Sequence, residues 1–258
     1  MRNFLLALLL LAIFFSACNS EKNTTSSTDV KDSLKVQLDS TRISEADPSE
    51  KKPDTTELEF DLLDQGLVNI HSLDTGIRLD IKYSTEDNFL EEDVYGDFNA
   101  CYLQAPAARR LVKADSFLQA LHPDLRLLVH DCVRPRSVQF KMWEIVKGTD
   151  QQMYVAPPGG AGSMHNYGAA VDLSLVHVDS GLVDMGTAYD YFGELAQPRY
   201  EERFVKEGKL TQAQVANRRV LRYAMLQAGF HGILSEWWHF NAFPREEVKA
   251  RFQIVELE

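Results

Sequence analysis

Cysteine is scarce in this chain. The three residues, at positions 18, 101 and 132, are too few for a disulfide scaffold and are not spaced like a zinc finger. Positive charge is also short: 27 Lys and Arg stand against 38 Asp and Glu, for a formal net charge of −11 at pH 7. That balance disfavours a phosphate backbone and sets nucleic acid aside as a partner. No hydrophobic run is long enough to span a bilayer. The longest, Phe4 to Phe15, falls short of the roughly 20 residues a spanning helix needs. There is no internal repeat, and no bias of the kind that marks a wholly disordered or collagen-like chain. What is present is an ordinary globular composition. The 258 residues suffice for one large domain, or for one domain with appendages.

The N-terminus carries the pattern of an export signal. Arg2 provides positive charge, the apolar run follows, and Ser16 and Ala17 precede Cys18. A small residue before a cysteine resembles a bacterial lipobox, in which the cysteine is lipidated, although Phe15 stands where that motif usually has Leu. A plain signal peptide cleaved near Ala17 is the alternative. Both readings put the working domain outside the cytoplasm, as a periplasmic or cell-surface protein. Residues 19 to about 58 are rich in Ser, Thr, Asp, Glu and Lys and have no aromatic residue. Such a segment cannot bury enough apolar surface to offset its chain entropy. The expected division is therefore a signal peptide over 1–17, a lipid-anchored tether over 18–58 and a globular domain over 59–258.

Within that domain the apolar spacing predicts a helix over Ala105–Leu121, with Pro106 in its first turn. It predicts a buried strand over Leu125–Val133, a helix over Ser137–Val146, a loop over Pro157–Gly162 and a strand over Ala169–Val178. A further helix over Thr211–Gly229 has Thr211 as N-cap and Gly229 beyond its end. A short strand is predicted over Leu79–Tyr83 and a last one over Ile233–Phe243. The interleaving points to an α+β fold: one domain with a central, mainly antiparallel sheet flanked by helices.

Two segments carry chemistry. One is Gly162-Ser163-Met164-His165-Asn166-Tyr167-Gly168-Ala169-Ala170-Val171-Asp172, and the other is Glu236-Trp237-Trp238-His239-Phe240. Together they offer two imidazoles and two carboxylates, and three protein ligands with an open position make a catalytic zinc site. A solitary His or Asp is more often solvated or capping, and a Trp pair is more often core. By themselves these residues leave metal binding and a structural role evenly matched. Glu236 and His239 are three apart, so on a regular strand they would face opposite ways; a shared site requires a bend between them. His71, His122, His130, His177 and His231 have no comparable setting and read as ordinary histidines. Cys132 lacks a recognisable His or Asn partner, so a thiol nucleophile is the weaker reading. In an extracytoplasmic domain Cys101 and Cys132 are free to pair; two separate buried thiols are the alternative.

The order S-x-H-x-x-G-x-A-x-D and then E-W-W-H resembles the signature of zinc D-alanyl-D-alanine peptidases, above all the dipeptidase branch that includes the vancomycin-resistance enzymes. Asp80-Ile81-Lys82-Tyr83-Ser84-Thr85, Asp87-Asn88-Phe89, the stretch Asp131 to Pro135, and Met185-Gly186-Thr187 agree with that branch. The likeness runs from about residue 62 to 243. It implies one Zn²⁺ per chain at the sheet, held by His165, Asp172 and His239, with Glu236 as general base and acid. It implies that Arg134 stabilises the oxyanion, and that Tyr83, Ser163 and Asp190 bind the ends of a D-Ala-D-Ala dipeptide, Asp190 taking its ammonium group. Val133 stands where the family commonly has Tyr, and Asn166-Tyr167 where it commonly has Ser-Arg; both changes bear on the pocket wall. The competing functions are a D,D-carboxypeptidase acting on longer peptidoglycan peptides, which needs an open groove, and a non-catalytic zinc-containing binding module, which needs neither Glu236 nor Arg134.

Overall fold

The structure, a computed structural model, describes residues 57–256. The signal-like run, Cys18 and nearly all of the polar segment lie outside the described residues. Those described belong to a single compact unit, and none of their helices is long and apolar enough to cross a membrane.

The described residues open with a helix, α1 (Glu57–Asp64), and a strand, β1 (Leu67–Asn69). A two-residue strand, β2 (Arg78–Leu79), precedes β3 (Tyr102–Gln104), which pairs antiparallel with β1. The main sheet is built from β4 (Leu125–Asp131), β5 (Ala170–His177), β7 (His231–Gly232) and β8 (His239–Asn241), in the order β2-β4-β5-β8-β7. The strand β6 (Gly181–Leu182) pairs with the far end of β5. Among the described residues only β2 with β4 is parallel; the other pairings are antiparallel. A mixed α/β domain with a mainly antiparallel sheet flanked by helices is thus the observed architecture.

Two long helices cover one face. The first, α2 (Ala105–Leu121), has Pro106 in its first turn, where a missing N–H costs nothing. It stops at His122, because Pro123 disfavours helical backbone in the residue before it. The remaining α-helices of the described residues are α3 (Arg136–Val146), α4 (Glu201–Lys206), α5 (Gln212–Gln227) and α6 (Arg245–Arg251). Thr211 caps α5 through a reciprocal box with Gln214. Side chains alternate along β5. Val171, Leu173 and Leu175 enter a core with Leu111 and Leu118 of α2 and Leu221 and Met225 of α5. Asp172 and Ser174 therefore point to the opposite face.

Two expected strands are shorter than the sequence pattern suggests. Of Leu79–Tyr83 only Leu79 lies in a strand, and Lys82–Ser84 form a 3₁₀ turn. Of Ile233–Phe243 only His239–Asn241 pair, and residues 233–238 form a bent connection. That bend is the irregularity required for Glu236 and His239 to share a site. Its Trp237 and Trp238 rings pack edge to face, 5.3 Å between centroids, and both are buried.

Candidate metal centre and active site

A bulge in β4 sets up the site. The register shifts between Val129 and Asp131, so Asp131 lies opposite Asp172, and Asp172 lies opposite His239 on the next strand. The extra residue lets neighbours His130 and Asp131 both serve the face away from α2 and α5. His165 reaches the same place from a 3₁₀ turn, Met164–Tyr167, capped by Ser163. That turn ends at Gly168 with φ +61°, where a Cβ would lie 2.8 Å from Leu67 Cδ2. Only glycine serves there.

The three expected ligands converge: one donor atom each from His165, Asp172 and His239 lie within 4.8 Å of one another. The ring tautomers follow from the outer contacts. His165 Nδ1–H donates to the carbonyl of Cys132 at 2.7 Å, which leaves Nε2 with its lone pair. His239 Nε2–H donates to Oδ1 of Asn241 at 3.0 Å, which leaves Nδ1 with its lone pair. These two nitrogens face each other at 3.1 Å, and Oδ1 of Asp172 lies 3.3 Å from the first and 3.0 Å from the second. Three electron-pair donors turned inward call for positive charge between them. The three groups are electrostatically tied to one another: burial works against charge at His165 and at Asp172, yet the carboxylate raises the pKa of His165 and the imidazoles hold Asp172 well below the usual carboxylate range. Two imidazoles and one carboxylate, each fixed by an outer hydrogen bond, fit a zinc site.

A cavity of about 220 Å³ opens beside these atoms, lined among others by Tyr83, Arg134, Ser163, Asp190, Glu236 and the three donors. Every sequence-expected site residue of the described chain is therefore in one place. Burial pushes Glu236 up to about 7, offset in part by His239 and reinforced by Asp172 and Asp190. Burial likewise raises Asp190 to about 8, although the Tyr83 hydroxyl donates to its Oδ2 at 2.7 Å. Asp190 is one of two non-glycine residues of the described chain with positive φ, at +55°; such backbone is kept where the surroundings enforce it. Arg218 of α5 supplies that enforcement. Buried itself, it donates from Nε to the carbonyl of Met185 at 2.6 Å and from Nη1 to that of Leu195 at 3.0 Å, fixing both ends of the loop.

Arg134 is buried and committed on one side. Nε and Nη2 reach Oδ2 of Asp131 at 3.0 and 2.5 Å, and Nη1 reaches Gln139 at 3.1 Å. Ser163 Oγ accepts the His165 amide at 3.3 Å, so it caps the turn as well as lining the cavity. Cys101 and Cys132 are disulfide-bonded, their Cα atoms 5.4 Å apart. Four features escaped the sequence reading. Asn241 orients His239, and its i+2 position on the same strand face is a signal that period-2 alternation carries. Tyr189 donates to Oδ2 of Asp172 at 3.1 Å. His130, read as ordinary, is buried against Ser174, its Nε2 2.8 Å from Oγ. Phe89, Phe192 and Tyr154, from three separate segments, line the cavity wall in turn: Phe89 meets Phe192 edge to face at 4.8 Å, and Phe192 stacks on Tyr154 at 4.9 Å between centroids.

Residues 64–256 match the peptidase family described as D-ala-D-ala dipeptidase. A protein of Escherichia coli named D-alanyl-D-alanine dipeptidase is 29% identical over 175 residues, covering 68% of this chain and 83% of that one. One of the same name from Enterococcus faecalis is 29% identical over 203 residues, covering 69% of this chain and 92% of its own. Another from Streptomyces coelicolor is 33% identical over 195 residues, covering 67% and 89%.

Proposed function

The chain belongs to the D-alanyl-D-alanine dipeptidase family of peptidases, and from that premise we propose that it hydrolyses D-Ala-D-Ala to free D-alanine with one zinc held by His165, Asp172 and His239. The observation that carries the reading is the inward convergence of those three donors beside Glu236 in one small cavity. Zinc bound there supplies Lewis acidity, which polarises a carbonyl and brings water's ionisation toward neutral pH. Glu236 accepts a proton from the attacking water and returns it to the amide nitrogen of the departing D-alanine. Burial raises the Glu236 carboxyl above its ordinary value, which suits a group that both accepts and returns a proton. The free edge of the Arg134 guanidinium opposes charge growing on the former carbonyl oxygen. Asp190, held by Tyr83, meets the ammonium end of the dipeptide, and Ser163, which lines the same cavity, serves the other end. Clamping both ends of so small a substrate supplies the orientation that remote contacts cannot.

A D,D-carboxypeptidase would need an open groove. The aromatic wall of Phe89, Phe192 and Tyr154 and a volume below the roughly 300–1,000 Å³ of drug-sized pockets favour the dipeptide. Purified, zinc-loaded protein assayed on D-Ala-D-Ala and on a pentapeptide ending in D-Ala-D-Ala tests this: turnover should be confined to the dipeptide, and preference for the pentapeptide would reverse it. The Ser16-Ala17-Cys18 sequence and the polar segment after it support placement outside the cytoplasm on a lipid anchor, where the dipeptide would come from cell-wall turnover.

A further inference from the structure

Asp172 uses its two carboxylate oxygens differently. Oδ1 faces the imidazole nitrogens of His165 and His239. Oδ2 accepts the hydroxyl of Tyr189 at 3.1 Å, while the nearest guanidinium nitrogen of Arg134 stands off at 3.9 Å. The terminal torsion of an Asp side chain is broad, so an untethered carboxylate would present either oxygen, or both, to a cation. The hydroxyl removes that freedom.

Tyr189 is itself held on several sides. Its ring stacks on His130, with centroids 4.9 Å apart and planes 27° from parallel. It meets Trp238 edge to face at 5.6 Å and Tyr83 at 6.5 Å. His130 is pinned in turn. Its Nε2 lies 2.8 Å from Ser174 Oγ, and its Nδ1 lies 3.3 Å from the carbonyl of Asp80 and 3.5 Å from that residue's carboxylate. The loop carrying Tyr189 is tied at both ends by Arg218 and at Thr187 by Trp237 Nε1 at 2.8 Å. The hydroxyl is therefore set in place by the fold before any ligand arrives.

We propose that Tyr189 is a positioning residue whose hydroxyl fixes Asp172 as a one-oxygen metal ligand, with the Asp80–His130–Ser174 array as its buttress. The proposal rests on the metal reading given above and deepens it. Tyr189 need not touch metal or substrate. Because Asp190 follows it directly, two adjacent residues set both the metal carboxylate and the group that meets the substrate's ammonium end.

The test compares the full wild-type chain with Tyr189→Phe, which keeps the ring and its stacking. Three quantities are measured: zinc dissociation constant by chelator competition, absorption spectrum with cobalt(II) in place of zinc, and melting temperature of the metal-free protein. Outer contacts to metal ligands typically change affinity about 10- to 100-fold. The variant should bind zinc at least about tenfold more weakly and show an altered cobalt spectrum, with an unchanged metal-free melting temperature. Equal affinity and an identical spectrum would overturn the proposal alone. A loss of affinity that follows a lowered metal-free melting temperature would make Tyr189 a structural residue and would also overturn it. A wild-type chain that binds no zinc would overturn both this proposal and the reading beneath it.

Discussion

Nδ1–H of His165 donates to the main-chain carbonyl of Cys132 at 2.7 Å, so one half of the disulfide also orients one of the two imidazoles that converge on Asp172. The surrounding segments are tied at further points. The Arg134 amide donates to the carbonyl of His165 at 3.0 Å, and Asn166 Nδ2 donates to the carbonyl of Arg134 at 2.7 Å. A buried sulfur bridge behind this strip anchors the strip and the imidazole together. Replacing both Cys101 and Cys132 by Ser should cost about 2–4 kcal/mol of stability and weaken zinc binding. Urea unfolding and chelator competition read the two effects. Unchanged metal affinity would uncouple the bridge from the site.

Arg134 holds charge as well as facing the cavity. Asp131 is fully buried and pairs with it through Oδ2, while the Tyr95 hydroxyl donates to its other oxygen at 2.8 Å and His165 Nδ1 lies 3.6 Å from Oδ2. Arg134→Ala would leave a buried carboxylate unpaired, at a cost of about 3–5 kcal/mol, which would confuse any kinetic result. Arg134→Lys keeps the charge and loses the fork. It should retain zinc while kcat falls by about two orders of magnitude, the usual effect of losing an oxyanion donor. A change confined to KM would instead make Arg134 a ground-state substrate contact.

The acidic groups of the cavity predict how the metal-free protein responds to pH. Burial raises Glu236 to about 7 and Asp190 to about 8, each above its ordinary value. The folded state therefore binds the extra protons. Their contribution to stability is fully present below the unfolded carboxyl values near pH 4 and is lost as pH rises through 7 and 8. The melting temperature of chelator-treated protein should fall over that range, and Glu236→Gln should flatten the fall. A melting temperature that rises with pH there would contradict the sign.

How legible these features were depended on how local their causes are. The helix over Ala105–Leu121 coincides with its spacing prediction, because Pro106 and Pro123 bracket a regular apolar stripe. The Thr211 cap was legible for the same reason. The segment Ile233–Phe243 misled, since aromatic residues suit a strand and a packed bend equally. The sequence shows no sign that Trp237 and Trp238 pack on each other rather than across a sheet. The three converging donors were visible only as residue types at a spacing. Their tautomers depend on Cys132, 33 residues from His165, and on the strand neighbour Asn241. His130 acquires its setting from Ser174, 44 residues away, through a bulge that leaves no mark in composition.

The lipid anchor is open to direct test. Metabolic labelling with a fatty-acid probe should mark the wild-type protein and miss Cys18→Ser. Equal labelling of both would remove the anchor while leaving the enzyme untouched.

The central claim is that His239 holds the metal while Glu236, three residues earlier, moves protons. Glu236→Gln keeps the size and hydrogen-bonding reach of the side chain but cannot accept a proton from water. The measurement is zinc stoichiometry and D-Ala-D-Ala hydrolysis on the same preparation of that variant, with His239→Ala alongside. Glu236→Gln should hold one zinc per chain and hydrolyse the dipeptide orders of magnitude more slowly, and His239→Ala should lose the metal. Loss of zinc from Glu236→Gln, or turnover near the wild-type rate, would contradict the account.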